Sequence, residues 1–529
     1  MENQHDTKES KVFYDPIHGL LELHPLLVKI IDTPQFQRLR NIKQLGGAYF
    51  VFPGASHNRF EHSLGVAYLA GQFAEALSTK QPELNITPKD ILCVQIAGLC
   101  HDLGQGPFSI VFEEMFIPER RADLSDCRRK RQEISVKMFD HLLSTNNLHS
   151  SMKNYGLNVD GQNESDLVFI KEMIRGHLNT DETQDQFMGR TKDKYFLYEI
   201  VENEKNGIDV DKFDYIARDS YYLGIQSSFD HRRCLVFARV CRVDGINHIC
   251  FRDKEVSNLY SMFQIRSLLH RTAYQHKTTR IIEVMIKDAL LQAGECIRIE
   301  GSEGKIFSLS TAIGDMEAYT KLTDCVFEKI LHSSERPDEM IRMLEQELKT
   351  DPSILFKDSS PSPTKENMET YKKMKKNIIE EAINSSSKEM GEAKTLLLKI
   401  VSRQIYKCLG KMKNPTMPEI DTWKQELARA CPPGDNQKVT VTANDFEIVH
   451  FTMDYGITEN ELIENVFFYK KNQPDKPFNL REDEVSMLLP KCSSEQFIRV
   501  YYKNINEEVV ETAQKHFDKW LSDKMEMQQ

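Results

Sequence analysis

Apolar residues recur at helical spacing over most of the first 330 positions. Leu69, Phe73, Ala76 and Leu77 form an i, i+4, i+7, i+8 stripe that predicts an amphipathic helix just after His62. The run ILCVQIAGLC, ending at Cys100, is too short to span a bilayer. It opens with Thr87-Pro88-Lys89-Asp90, which reads as an N-cap Thr, a first-turn Pro and a reciprocal acid. A buried helix is therefore expected to end at the pair His101-Asp102. In DKFDYIARD, residues Asp211, Tyr215 and Asp219 fall four apart and share one helical face. The pattern changes over 336–392, where polar residues interrupted by Ser and Pro predict a surface insertion with marginal helices and a disordered joint near Ser359–Pro363. Beyond it, KVTVTANDFEIVHFTMDYG alternates like strands, and FFYKKNQPDKPFNL reads as strand, turn, strand. The expected fold is mainly α: a loose tail over 1–10, a helical core over 11–335, the insertion over 336–392, and a smaller mixed α/β lobe over 393–529. No internal repeat is visible.

Composition narrows the function classes. A chain of 529 residues with 40% hydrophobic and 28% charged positions has enough apolar material for a large core. Its formal net charge of -11 argues against a dedicated nucleic-acid binder and leaves room only for a local basic channel. The cluster Arg120-Arg121 and Arg128-Arg129-Lys130-Arg131 reads first as a solvated loop, and second as an import signal or nucleic-acid patch. The opening MENQHDTKESK has no signal-peptide core, and the eleven cysteines include no C-x-x-C pair. Reduced thiols and an intracellular protein, in nucleus and/or cytoplasm and not on a membrane, are expected. Cys241 and Cys250 are the pair to watch. Gly46-Gly47 and Gly104-x-Gly106-Pro107 are expected to serve tight backbone approach and do not make a nucleotide fingerprint.

The candidate chemistry lies in His62, His101, Asp102 and Asp211. Two imidazoles and two carboxylates on packed helices suit a divalent transition metal with open positions for water and a phosphate oxygen. Zn, Fe and Mn all satisfy that donor set, and Mg would accompany a triphosphate.

Three stretches, GGAYFVFPGASHNRFEHSLGVAYLAG, IAGLCHDLGQGPFS and NGIDVDKFDYIARD, carry a resemblance to the vertebrate sterile-alpha-motif and HD-domain dNTP triphosphohydrolases. The likeness runs from Lys11 to about residue 520, apart from the insertion, and makes 11–335 an HD phosphohydrolase core and 393–529 a regulatory and oligomerisation lobe. Only ten residues precede Lys11, so the sterile-alpha-motif domain, and likewise the family's C-terminal regulatory tail, are expected to be absent. The resemblance implies hydrolysis of a dNTP to deoxynucleoside and tripolyphosphate, with the metal held by the quartet. It places Gln44 and Leu45 by the sugar and Arg59 and Lys212 by the phosphates. Tyr215 and Asp219 would line the deoxyribose, with Arg266, Tyr274 and Gln275 close by. Cations for a triphosphate and a carboxylate for a sugar hydroxyl make a coherent set.

The resemblance also implies activation by GTP and dNTP through assembly of a homotetramer, and a minor single-stranded nucleic-acid role. Lys11, Val12, Asp32, Gln37, Arg40 and, past the insertion, Arg403 match the GTP positions. For the dNTP activator, Val51, Arg233, Arg252, Lys254, Asn258, His276, Lys277, Lys407 and Lys470 match. Tyr14 stands where the family has Asn, and Thr272 where it has Arg; losing one charge-assisted Arg–phosphate contact costs about 1.5–3 kcal/mol.

Larger departures surround the quartet. The family reads HDLGHGPFSH where this chain has HDLGQGPFSI, and a downstream His aligns with Arg131. Gln105 can donate a hydrogen bond but cannot exchange protons near neutrality. Arg131 is permanently charged. Ile110, at the position expected to protonate the leaving 5′-oxygen, can do neither. Glu113 replaces an Asp. Positioned general acids contribute ~10²–10⁴-fold, so the expected activity is a slowed dNTP triphosphohydrolase. The competing reading is a paralogue that has lost catalysis and serves as a nucleotide-binding regulator or partner subunit.

Overall fold

A computed structural model describes residues 10–121, 127–161, 165–176, 187–333, 387–413, 419–431, 441–454, 465–481 and 494–528. The expected tail and nearly all of the 336–392 insertion, including Ser359–Pro363, lie outside the described residues. No helix among those described is long and apolar enough to cross a membrane.

The chain opens with the antiparallel hairpin β1 (Lys11–Asp15) and β2 (Gly19–Leu23), register Tyr14↔Leu20. Leu21 and Leu23 face the core, while Val12, Tyr14 and Leu20 are exposed. Short helices α1 (Pro25–Ile31) and α2 (Pro34–Gln37) lead to two long ones, α3 (Arg59–Lys80) and α4 (Pro88–Cys100). These pack face to face, burying Leu69, Phe73 and Leu77 of the expected stripe. Gly71 and Gly98 keep that interface close: a Cβ on Gly98 would stand 3.2 Å from Val66 O, and one on Gly71 2.3 Å from the Gln95 amide. The α4 N-terminus is as expected. Thr87 accepts from Asp90 N–H at 3.2 Å, and the Asp90 carboxylate accepts from Thr87 N–H at 2.9 Å.

Helices α5 (Ile117–Arg120), α6 (Cys127–Thr145), α7 (Leu148–Asn154), α8 (Asp166–Arg175) and α9 (Val210–Leu223) complete the helical layer. The run Arg128–Arg131 is therefore not a loop but lies at the start of α6. Arg and Lys are good helix formers, and composition alone does not separate a charged helix from a charged loop. After α10 (His231–Phe237), strands β3 (Ala238–Val243) and β4 (Ile246–Arg252) form a hairpin, followed by α11 (Val256–Leu269) and α12 (Lys277–Ala293). The small hairpin β5 (Ile299–Glu300), β6 (Ile306–Phe307) and helices α13 (Met316–Thr320) and α14 (Cys325–Leu331) close this part.

Helix α15 (387–401) straddles the expected boundary at 392. Strands β7 (Lys407–Lys413), β8 (Phe446–Asp454) and β11 (Ser494–Tyr502) form an antiparallel sheet in the order β7-β11-β8, backed by α16 (Ile420–Arg429) and α17 (Glu507–Gln528). Trp423, Leu427, Phe446, Phe517 and Trp520 give this lobe its own small core. Residues 438–440 and 455–456 of the expected strand-like stretch lie outside the described residues; between them Thr442 and Asp445 cap a 3-10 turn, and β8 begins at Phe446. Strands β9 (Phe468–Lys470) and β10 (Gln473–Phe478) match the expected strand-turn-strand, but they do not join that lobe's sheet. β9 runs parallel to β4, register Arg252↔Tyr469, so a C-terminal segment completes a sheet of the helical core.

Asp90 also takes ion pairs from Arg190 (2.8 Å) and Lys194 (2.6 Å). Removing the cap alone, Thr87→Ala, is expected to cost about 1 kcal/mol. Asp90→Ala leaves the Lys194 ammonium without its carboxylate, while Arg190 keeps Asp166 at 2.5 Å, and is expected to cost about 3 kcal/mol, the lower end for a broken buried pair. Chemical denaturation checks both; equal losses would mean that the ion pairs add nothing.

Candidate active site

The metal-ligand candidates come from three helices. His62 lies on α3, His101 and Asp102 follow the last residue of α4, and Asp211 is in the first turn of α9. His62 Nε2 is 3.1 Å from Asp211 Oδ1 and 3.7 Å from Asp102 Oδ2. His101 Nε2 is 3.5 Å from Asp211 Oδ1 and 3.6 Å from Asp102 Oδ2. All four donors therefore converge as the sequence pattern requires. The cluster is buried except at Asp211, whose side chain is 31% exposed and opens it to solvent.

The ring tautomers fit a metal. His101 Nδ1–H donates to Gly98 O at 2.8 Å, and His62 Nδ1–H donates to Asp214 Oδ2 at 2.7 Å. Each ring thus turns its Nε2 towards the carboxylates, the face that metal-bound imidazoles use. Neither buried Nε2 has a well-aligned hydrogen-bond partner among the described residues. Burial alone would lower the His62 pKa, but the Asp211 and Asp214 carboxylates beside the ring outweigh it and lift it to about 10, so the pocket favours a positive charge there.

The backbone around His101-Asp102 is clamped. Buried Arg38 donates to Leu103 O, Gln105 O and Leu322 O. Ser135 of α6 donates to His101 O and accepts from Gly104 N–H. Gly104 has no room for a Cβ, which would meet Ser135 N at 2.6 Å, and a Cβ on Gly46 would meet Phe108 O at 2.6 Å. The expected role of these glycines, close backbone approach, is what the structure shows.

Beside the quartet, Arg59 donates to Asp102 Oδ2 (2.7 Å), Ser109 Oγ (3.1 Å) and Gln44 O (3.3 Å). Lys212 pairs with Asp209 at 3.2 Å, and Arg266 Nε donates to Tyr215 Oη at 3.2 Å. Asp219 accepts from Tyr274 Oη and lies 2.6 Å from His57 Nε2. The buried amide oxygens of Gln44 and Gln275 have no partner of their own, and Leu45 opens the turn Gly46–Phe50. Lys212, Tyr215, Arg266, Asp219 and Tyr274 thus lie close to one another, and Arg59 meets Gln44 beside Asp102, while no hydrogen bond or ion pair among the described residues joins Leu45 or Gln275 to them. Sequence reasoning missed His57, which also stacks on Tyr222 at 4.5 Å. It missed Asp214 as well, although the i, i+4 pair Asp214–Arg218 inside DKFDYIARD was a usable signal.

The substituted positions behave differently from one another. Gln105 is buried, and its Nε2 donates to Asp102 Oδ1 at 3.0 Å, so its amide faces a ligand carboxylate. Ile110 is 39% exposed, at the start of the π-helical turn Val111–Phe116. The two residues before it, Phe108 and Ser109, have φ of 55° and 51°, a left-handed backbone that is uncommon outside glycine. Asp324 holds this strained turn by accepting from Phe108 N–H at 2.6 Å and Lys43 N–H at 2.8 Å. Burial pushes the Asp324 pKa up to about 7, against the pull of those two N–H groups. Glu113 is buried and accepts from Gly106 N–H at 3.1 Å. Burial raises its pKa to about 7, only partly offset by Arg131 and Arg59. Arg131 is desolvated too, but Glu113 and Asp102 keep it firmly protonated.

Of the expected GTP positions, Lys11 lies 3.7 Å from Asp32, and Gln37 accepts from Arg40, whose guanidinium sits 3.6 Å over the Phe60 ring. Val12 is exposed on β1. Arg403 is exposed with φ 61° after α15, and no hydrogen bond or ion pair among the described residues joins it to the other five. Of the dNTP positions, Arg233, Arg252 and Lys254 surround the Phe237 ring at 5.5, 5.9 and 3.5 Å. Asn258 contacts Glu255, the ion-pair partner of Arg233. Lys470 follows Tyr469, which is in register with Arg252. His276 caps α12 and contacts Phe52, next to Val51; Lys277 begins α12, and Lys407 begins β7. Tyr14 is 89% exposed on the hairpin, and Thr272 lies in the turn His270–Tyr274.

The HD domain family profile matches residues 59–219, the span that holds all four metal-ligand candidates. The chain is 48% identical to deoxynucleoside triphosphate triphosphohydrolase SAMHD1 of Danio rerio, over 99% of this chain and 75% of that protein. It is 46% identical to SAMHD1 of Homo sapiens, over 97% of this chain and 74% of that protein. The SAMHD1 homologue of Dictyostelium discoideum is 31% identical over 97% of this chain and 81% of its own length.

Glu113 gives a pH test of this geometry. Its carboxyl moves from an ordinary value of 4.5 to about 7 on folding. Below pH 4.5 it is protonated in both states and contributes nothing. Between 4.5 and 7 the unfolded chain releases the proton first, so stability falls as pH rises; above 7 the loss is complete. At about 1.4 kcal/mol per pKa unit the loss is on the order of 3 kcal/mol. Denaturation at pH 4.5 and pH 8 should therefore show Glu113→Gln gaining on wild type by that amount. A difference that does not change with pH would mean that the carboxyl is not raised.

Proposed function

This chain belongs to the SAMHD1-like family of HD-domain deoxynucleoside triphosphate triphosphohydrolases, and on that premise we propose that it is a metal-dependent hydrolase cleaving a dNTP to deoxynucleoside and tripolyphosphate. The observation that carries this reading is the group His62, His101 and Asp102, able to hold a metal ion, with Asp211 Oδ1 3.1 and 3.5 Å from the two Nε2 atoms and the cation Arg59 on Asp102. A divalent ion bound by those four residues, with Zn, Fe and Mn as candidates, would polarise a phosphoryl oxygen and activate water.

The chain's own residues would do the rest. Arg59, Lys212 and Arg266 neutralise triphosphate oxygens, with Mg accompanying them. Asp219, oriented by His57 and Tyr274, accepts the 3′-hydroxyl, and the Tyr215 ring crowds C2′ against a ribose. Water adds to the α-phosphorus, the bond to the 5′-oxygen breaks, and that oxygen takes up a proton. Ile110 cannot supply one, Gln105 is engaged with Asp102, and Arg131 holds its protons too tightly. Glu113 is the group on this turn that carries a proton near neutral pH, and we assign it that supply. The reading includes GTP and dNTP as activators of a homotetramer. The Lys11–Asp32 pair and the Arg233, Arg252 and Lys254 ring around Phe237 support two such anion-binding places.

Incubation of the full chain with dGTP and dATP, GTP, Mg and Mn should release deoxynucleoside and tripolyphosphate together. His101→Ala combined with Asp102→Ala should abolish both products. Ile110→His restores an imidazole next to the strained turn and should raise kcat by ~10-fold or more, within the ~10²–10⁴ range of positioned acids. Binding of dNTP without turnover, unchanged in Ile110→His, would instead make the chain a nucleotide-binding regulator.

A further inference from the structure

The geometry points to Asp214 as a positioning residue for His62, and to Arg218 and Asp15 as the link that ties this position to the N-terminal hairpin. This inference rests on the reading of His62 as a metal ligand.

Asp214 is fully buried, and four donors converge on its two oxygens. His62 Nδ1 lies 2.7 Å from Oδ2 and His18 Nε2 2.7 Å from Oδ1. Arg218 reaches both oxygens, Nε to Oδ2 at 2.8 Å and Nη2 to Oδ1 at 2.9 Å. With both oxygens engaged twice, the carboxylate cannot rotate without breaking charge-assisted bonds, so it sets the tilt and tautomer of the His62 ring. The remaining guanidinium group, Nη1, binds Asp15 Oδ2 at 2.9 Å. Asp15 ends β1, and its other oxygen accepts from Ile17 and His18 N–H, both at 2.9 Å. An unbroken path of hydrogen bonds thus runs from the hairpin turn through Arg218 and Asp214 to His62 Nδ1, on the far side of the ring from the metal-facing Nε2.

A generic buried ion pair explains Arg218 and Asp214 but not their placement. Gly65 on α3 supplies the second observation. A Cβ there would stand 1.9 Å from Asp214 Oδ1 and 2.6 Å from Arg218 Nη2, so the helix that carries His62 is open at the one position where the pair must approach it. Packing alone has no need for the pair to lie under His62. Because Asp15 belongs to the same strand as Lys11 and Val12, any ligand that shifts the hairpin changes the Arg218 anchor. By linkage, metal at the quartet then stiffens the hairpin in return.

The test uses the full chain and Zn²⁺ alone, titrated against a chromophoric chelator, with dGTP turnover measured in parallel. Asp214→Asn should weaken Zn²⁺ about 10–100-fold and lower kcat, with KM close to wild type. Asp15→Asn, at the hairpin end of the path, should weaken Zn²⁺ by a smaller factor, about 2- to 30-fold. Wild-type Zn²⁺ affinity in Asp214→Asn would overturn the positioning role while leaving the proposed hydrolase intact; wild-type affinity in Asp15→Asn would overturn the hairpin link. Failure of the wild-type chain to take up Zn²⁺ would overturn both this inference and the proposed metal-dependent function. Should Asp214→Asn not fold, a structure of the Zn²⁺-loaded wild type decides. Coordination through His62 Nε2 with Nδ1 still on Asp214 supports the role, and coordination through Nδ1 overturns it.

Discussion

The burial of charge under α3 and α9 is the constraint on which the rest of the structure depends. Asp214 and Arg218 are both completely inaccessible. Removing one partner of such a pair typically costs about 3–5 kcal/mol, so neither can be tolerated unless the other, and the donors around them, are in place. That requirement explains features that look unrelated. Gly65 has no side chain because the pair occupies its space. The hairpin folds back onto the helices because Asp15 completes the Arg218 shell. His62 presents Nε2 to the quartet because Nδ1 is already committed to Asp214.

The other wall of the site is built on a different principle. The turn from Gly104 to Phe116 is held by backbone contacts: Arg38 on its carbonyls, Asp324 on the Phe108 N–H, and glycines that permit close approach. Such a wall constrains the backbone through contacts that do not depend on the Ile110 side chain, which is exposed. Of the four positions beside the quartet expected to depart from the family's pattern, Gln105, Ile110 and Glu113 fall on this turn and Arg131 lies on α6. A side chain with no proton to give at the exposed Ile110 position leaves the buried charge network around Asp214 untouched. The geometry of His62, His101, Asp102 and Asp211 is therefore physically separable from the chemistry of the side chain at position 110.

What could be read from the chain follows the same division. The α4 cap, the His-Asp pair at its end and the face shared by Asp211, Tyr215 and Asp219 were legible, because local periodicity and capping chemistry decide them. The family resemblance added the expected pocket residues, of which the structure brings Tyr215, Arg266, Asp219 and Tyr274 close to one another and sets Arg59 on Asp102. His57, His18, Asp15 and Asp214 were not legible as a set. Their partners lie 152 to 203 residues away, and no local pattern encodes which buried acid meets which histidine. The charged run beginning at Arg128 was misread as loop because its residues favour helix as readily as solvent. The expected strand gives way to a turn at Ala443–Asp445, where the Thr442 and Asp445 side chains compete with strand pairing for the backbone.

The β9–β4 pairing bears on how a regulatory ligand could act here. Parallel pairing places Tyr469 opposite Arg252, and Tyr469 Oη donates to Phe237 O at 3.1 Å, so the C-terminal segment reaches the place where Arg233, Arg252 and Lys254 meet Phe237, while the Lys470 ammonium lies 5.3 Å over the Phe478 ring. Cations from distant parts of the chain repel one another when brought together without an anion. Glu255 offsets part of this by pairing with Arg233, and Asp253 lies 3.8 Å from Arg252 Nε, while the Lys254 ammonium sits over an aromatic face, a weaker partner than a carboxylate. A polyanion bound there would relieve the repulsion and pull the C-terminal segment and the helical core together through one set of contacts. Lys11 lies on the same hairpin as Asp15, from which the Asp15–Arg218–Asp214 path leads to the His62 ring. An anion bound at either place would therefore tie together elements that pack around His62, His101 and Asp102.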